Sequence, residues 1–190
     1  MVGMGANVHA QDGCALRWAS GGGHLEVVKY LVLEGADVHA DDDRALRLAS
    51  GGGHLEVVKF LIGEGADVHA EGNEDALIWA SGRGHLDVVK CLIGAGADVN
   101  AGENEALRSA SEEGHLEVVK CLIGAGADVH TDNDYALKIA SKNGHLEVVK
   151  CLIGAGADVR SIEVSVSGGS LVKDVVQKLL IGIVNFFVCP

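Results

Sequence analysis

Residues 44–69 read RALRLASGGGHLEVVKFLIGEGADVH, and this stretch decides the fold. In its first half Leu46 and Ala49 lie three apart with Ala45 beside them, which is one face of a two-turn helix. Gly53 supplies the permissive backbone for a tight reversal. The second half sets Leu55, Val58, Leu61 and Ile62 at helical spacing, with Glu56 and Lys59 three apart on the wetter side. Gly65 ends it as a C-terminal cap. Neither helix is long enough to be stable alone, and a lone pair would leave its second apolar side in water. Stacking of identical pairs answers both problems.

The stretch recurs. GHLEVVK or GHLDVVK begins at Gly23, Gly53, Gly84, Gly114 and Gly144, at spacings of 30, 31, 30 and 30 residues. Such self-similarity marks a stacked array. The spacing predicts five units, 11–40, 41–70, 71–101, 102–131 and 132–160, the third with one extra loop residue within 71–75. Before them, GANVHA at 5–10 reads as the tail of a further unit, so 1–10 is a partial remnant. That leaves the first complete pair without a neighbour, as expected of a fragment of a longer array or of a weak edge. After them, 161–190 reads as a degenerate capping segment. There Leu171, Val175, Leu179, Leu180 and Ile183 keep helical spacing, and DVVQKLLI at 174–181 looks like a worn EVVKCLIG. A cap that shields the last unit is the expectation, because residues 179–188 fall far short of the ~20 apolar residues of a membrane span.

Composition narrows the function. The chain has 190 residues, 48% of them hydrophobic, which is enough to bury a sizeable core. Aromatics are only 4% and glycines number 27, which suits thin layers of small and aliphatic side chains with many turns. Fifteen Lys and Arg stand against 27 Asp and Glu, a net charge of -12. Nucleic-acid binders need the opposite sign to displace phosphate counterions, so that class is set aside. The opening MVGMGANVHAQDG has neither a basic cluster nor an apolar run, no N-x-Ser/Thr site occurs, and the five cysteines are an odd number. The expectation is a cytoplasmic location.

Several patterns imitate chemistry. His24, His54, His85, His115 and His145 recur once per unit, but equivalent positions on stacked helices are ~8–10 Å apart, too far to converge on one ion. His9, His39, His69 and His130 read as surface turn residues. Cys91, Cys121 and Cys151 fill the slot of Tyr30 and Phe60, expected to face the packed interior as free thiols. IGAGAD at 93–98 resembles the start of a dinucleotide loop, yet Val99 stands where the third glycine belongs and no strand precedes it. Asp41, Asp42 and Asp43, like Asp132 and Asp134, lack the spaced ligands of a calcium loop and read as acids at helix N-termini. No catalytic set stands out, so no enzyme activity, cofactor or metal is expected.

The repeated order A-L-x-x-A-S, G-H, an apolar stretch and G-A-D-V resembles the ankyrin-repeat family, over residues 5–160. Where that family carries T-P-L-H, this chain has Cys14-Ala-Leu-Arg and then RALR, DALI, EALR and YALK, so the family's Thr to His bonding is missing. Each unit is short in the loop between A-D-V-H-A and A-L, which implies stubby hairpin fingers. The proline-free style resembles arrays of giant DNA viruses of amoebae, with some likeness to those of intracellular bacteria, which extends the expected location to a host cytoplasm. The resemblance implies an all-α, ankyrin-like helix-turn-helix solenoid, monomeric and non-enzymatic, that binds a protein partner on its concave face. It also makes DVN, ending at Asn100, similar to a site of asparaginyl hydroxylation.

Comparison of the five units suggests where a partner would sit. The framework Leu, Ala, Ser, Gly, His and Val barely changes, whereas one row runs Cys14, Arg44, Asp75, Glu105, Tyr135. A second runs Trp18, Leu48, Trp79, Ser109, Ile139, and beside it lie Arg17, Arg47, Ile78, Arg108 and Lys138. Trp and Arg are common interface anchors, although packing of unit on unit explains these rows equally well. The loops add Asp42, Asp43, Glu74, Asp75, Glu103 and Glu105, an acidic rim that would steer a partner with a basic edge. The competing reading is a structural or vestigial scaffold without a dedicated ligand, favoured by the Gly21-Gly22 and Gly51-Gly52 pairs. A host-directed effector or adaptor fragment is a further alternative.

Overall fold

A computed structural model describes residues 13–69 and 76–162. The 1–10 remnant, the extra loop residue with Glu74 and Asp75, and the capping segment from 163 onward lie outside the described residues. The chain forms two compact units, 1–99 and 100–190. The first holds three helix pairs: α1 (Cys14–Gly21) with α2 (Leu25–Leu33), α3 (Ala40–Gly51) with α4 (Leu55–Gly63), and α5 (Ala76–Gly82) with α6 (Leu86–Gly94). The second holds α7 (Ala101–Glu113) with α8 (Leu116–Gly124), α9 (Thr131–Asn143) with α10 (Leu146–Gly154), and a 3-10 turn at Val159–Ser161. Among the described residues there is no strand, and the architecture is an all-α helical repeat solenoid.

The repeated apolar positions make the core. Leu46, Leu77, Leu107 and Leu137 of the first helices and Leu61, Leu92, Leu122 and Leu152 of the second are at most 1% exposed. The reversal between partners follows from Gly53, whose φ of +73° lets His54 donate its backbone N–H to Ala49 O at 3.0 Å. At the far end the chain turns back on itself, Ala66 N–H reaching Leu61 O at 3.0 Å and Gly65 N–H reaching Ile62 O at 3.1 Å. These two bonds satisfy carbonyls that the helix end leaves open. Glu56 pairs with Lys59 at 2.8 Å on the solvent side, as the spacing predicts.

The loops depart from expectation. Residues 41–43, 102–104 and 132–134 are left-handed, with φ between +50° and +61°, so Asp41, Asp42, Asp43, Asp132 and Asp134 are not ordinary helix N-terminal acids. Asp, Asn and Gly tolerate this conformation best, and DDD, GEN and DND supply them at every position but Glu103. The turn rolls its third residue inward: Asp43, Asn104 and Asp134 are buried. Asp43 Oδ1 accepts the backbone N–H of Asp67, one repeat on, at 3.0 Å, and Asn104 Oδ1 accepts that of Asp128 at 3.1 Å. A three-residue left-handed turn thus stands where short hairpin fingers were expected.

Candidate protein-binding face

Adjacent pairs are joined by residues that repeat once per unit. In the first unit, a Cβ added to Gly51 would lie 2.6 Å from Trp79 Cε3, so the indole needs glycine beneath it. Leu48 lies over Gly21 less tightly: a Cβ added to Gly21 would lie 3.4 Å from Leu48 Cβ, an ordinary contact. The helix-start histidines reach back to the preceding pair. His54 Nε2 lies 3.0 Å from Gly21 O and His85 Nε2 lies 3.1 Å from Gly51 O, while in the second unit His145 Nε2 lies 2.8 Å from Glu112 O. His54, His85 and His145 are therefore carbonyl clamps. Among the described residues no group of three or more His, Cys, Asp or Glu is placed to hold a metal ion.

The candidate binding residues fall at the first helices and the loops before them. In the first unit Arg17 pairs with Asp41, which Arg44 also approaches at 3.5 Å. Arg47 belongs to the same cluster but differs from expectation. Only 8% exposed, it donates through Nη2 to Asp41 O at 3.0 Å, so it serves the loop more than the surface. Asp43 is likewise turned inward, against His39 Nδ1 at 3.1 Å. Trp18 is 77% exposed, whereas Leu48, Ile78 and Trp79 are half-buried. Asp75 lies outside the described residues.

In the second unit Glu105 pairs with Arg108 at 3.1 Å, and the Arg108 guanidinium lies 4.5 Å over the Tyr135 ring. Tyr135 and Lys138 are half-buried, Ser109 is half-buried, and Ile139 is buried. The structure thus gathers Arg17, Arg44 and Arg47 around one aspartate in the first unit, and Glu105, Arg108 and Tyr135 into one contact chain in the second. It also adds Arg83. Its guanidinium lies 5.2 Å over Trp79 and its Nη1 donates to Gly51 O at 3.2 Å. The sequence signal for Arg83 was its place in SGRG, where the first two repeats carry glycine.

The outer sides of the second helices are chemically plainer. Glu117 pairs with Lys120 at 2.6 Å and Glu147 with Lys150 at 2.7 Å, both exposed. Cys91, Cys121 and Cys151 are free and half-buried, not interior as expected, and Tyr30 in the same row is 44% exposed. Burial pushes the Cys91 and Cys151 thiols up, against the pull of Lys59 and Lys120. They are poor nucleophiles, since reactivity follows the thiolate.

A family model for ankyrin repeats, comprising three copies, matches residues 2–72, 46–133, 77–163 and 107–182. No curated protein matches the chain.

Proposed function

The chain belongs to the ankyrin-repeat family, and from that premise we propose that it binds a protein partner along its first helices and the loops before them. Ankyrin repeats are generally protein–protein interaction modules and typically non-enzymatic scaffolds. The observation that carries the choice of face is the division of labour within each repeat. Framework leucines, alanines and histidines are spent on the core and the joints, while Arg44, Glu105, Tyr135 and Lys138 vary between units and keep part of their surface in water. The contacts of Arg108 with Glu105 and Tyr135 hold these side chains in place, which lowers the ordering cost of binding.

The acidic loops, with Asp41, Asp42, Glu103 and Asp132 exposed, favour a partner with a basic edge. The scaffold reading rests on the Gly21-Gly22 and Gly51-Gly52 pairs, but Gly51 has a packing role beneath Trp79. A cytoplasmic location, with a host protein as partner, remains part of the proposal. The test is a pull-down from a eukaryotic lysate with the whole chain as bait at two salt concentrations. Specific capture that weakens as salt rises is expected. Nothing captured above an unrelated acidic bait, at either salt, sinks the reading in favour of the scaffold.

A further inference from the structure

One joint of the second unit rests on two donors that flank a single glycine. Asn143 Nδ2 donates to Glu112 O at 2.8 Å, and His145 Nε2 lies 2.8 Å from the same oxygen. Between them stands Gly144, whose φ of +81° turns the chain from α9 towards α10. In the first unit Arg83 and His85, two residues apart in the same way, both reach Gly51 O. The two joints differ in chemistry, because an asparagine before a glycine can react with its own backbone. Every other asparagine of the chain is followed by a residue that bears a side chain, and Asn143-Gly144 is the one Asn-Gly sequence.

The reaction needs only water. Gly144 N attacks Asn143 Cγ, and the N–Cγ bond closes a five-membered ring as the Cγ–Nδ2 bond breaks. Nδ2 leaves as ammonia, carrying off the proton of the Gly144 N–H. Water then opens the ring at either carbonyl, giving aspartate or, where the main chain now runs through Cβ, isoaspartate. Attack within one chain is favoured by proximity, and glycine leaves the nitrogen uncrowded. In the closed joint the step is held off. The Asn143 amide is engaged on Glu112 O, and Gly144 N–H donates to Ser141 O at 3.2 Å. Both residues are exposed, so water reaches them whenever the joint opens locally.

We propose that Asn143-Gly144 is a modification site, where opening of this joint leads to spontaneous deamidation that keeps the joint from closing again. Either product sets a carboxylate where a donor faced Glu112 O, and two acceptors repel each other. Isoaspartate also lengthens the main chain by one atom just before Gly144, which carries His145 off the same carbonyl. Both donors of the joint are then lost together. Arg83 makes the equivalent bond with a side chain inert to this chemistry. The inference does not depend on the binding face proposed above.

Prolonged incubation of the whole chain at mildly alkaline pH, folded and in urea, followed by peptide mass spectrometry, tests it. The mass gain of an amide turned acid is expected at Asn143, faster than at Asn100, Asn104 or Asn133, and faster in urea than in the folded chain. His145→Ala should speed it about fivefold in the folded chain, the factor by which loss of one hydrogen bond shifts an opening equilibrium. Asn143→Arg, on the pattern of Arg83, should abolish it. Hydrogen exchange in the aged chain should rise in α10 and stay unchanged in α8, and ageing should leave Asn143→Arg unaltered. If circular dichroism shows that His145→Ala loses helix, the comparison of folded chain with urea and the exchange of the aged chain carry the test. No mass gain at Asn143, equal rates in the folded chain and in urea, or α10 exchange indifferent to the modification overturns the proposal.

Discussion

In the first unit the large residue of a first helix lies on a glycine of the pair before it, Trp79 on Gly51 and Leu48 on Gly21. In the second unit Glu112 stands at the glycine's position, Ile139 at the tryptophan's, and hydrogen bonds reinforce the joint. Asn143 Nδ2 donates to Glu112 O at 2.8 Å beside the His145 ring, and Asn104 Nδ2 donates to Thr131 Oγ1 at 2.7 Å. The loops differ in step with this. His39 faces a buried Asp43 in the first unit, whereas Asn100 and Asn104 occupy the equivalent places in the second, where His130 and Asp134 then restore the first arrangement. Histidine and aspartate change together to two asparagines, so both members of the contact are replaced at once. Arg83 and His85 make the same carbonyl contacts on Gly51 O in the first unit, so what sets its joint apart is the close steric fit of Trp79 on Gly51, and the two should fail differently.

The steric joint should be the less forgiving. Gly51→Val forces a branched side chain into the Trp79 ring and should cost about 2 kcal/mol, whereas Glu112→Val, at an exposed site, should cost less than about 0.5 kcal/mol. Urea denaturation of the whole chain measures both. Combining Gly51→Val with Trp79→Ala should give less than the sum of the single losses, because the two residues touch. Equal losses at Gly51 and Glu112 would erase the distinction between the units.

Loop acceptors come next in size. Asp43→Ala removes the acceptor of the Asp67 N–H and should cost about 1.5 kcal/mol. Asn104→Ala should cost about half as much, because Asn100 Oδ1 also accepts the Asp128 N–H, at 3.0 Å. The comparison sharpens if His39→Asn and Asp43→Asn together are better tolerated than Asp43→Asn alone. Were the double variant worse than the sum of the two, the paired change in the second unit would have no basis in the contact between these side chains.

On the proposed face, Arg44→Ala in the first unit and Lys138→Ala in the second should each weaken partner binding by about 1 kcal/mol or more, with Lys59→Ala and Lys120→Ala near neutral. Titration calorimetry with the captured partner ranks them and tells which unit dominates. The smallest effect is one the units should share. Ser50 and Ser111 are fully buried with no hydrogen-bond partner for their hydroxyls. Ser50→Ala and Ser111→Ala should each raise stability by about 0.5 kcal/mol, since alanine is the better helix former and buries no polar atom. A loss at either position in thermal melts would mean that the hydroxyl is engaged.

What was legible in the sequence was whatever a single repeat contains. Leu46, Ala49, Leu55, Val58 and Leu61 announce two helices by spacing alone, and Gly53 announces the reversal. What lay between repeats was not legible. His54 reads as a residue near a helix start until its ring is found on Gly21 O, 33 residues back. Gly51 reads as a bare position that favours a scaffold, and Trp79 as an anchor, until the indole is found over the glycine. The acids at 41–43 misled because an aspartate before a helix usually faces water and the helix dipole, whereas a left-handed turn rolls Asp43 underneath. Arg47 misled for the same reason, since the turned loop brings Asp41 O within reach of its guanidinium.

A protein partner on the first helices and their loops should shield their backbone amides. Hydrogen exchange on the whole chain, with and without the captured partner, tests it most directly. Slowed exchange is expected around residues 40–51 and 101–113 or 131–143, with α4, α8 and α10 little changed. Protection confined to α4, α8 and α10, with the first helices and loops exchanging as in the free chain, would contradict it.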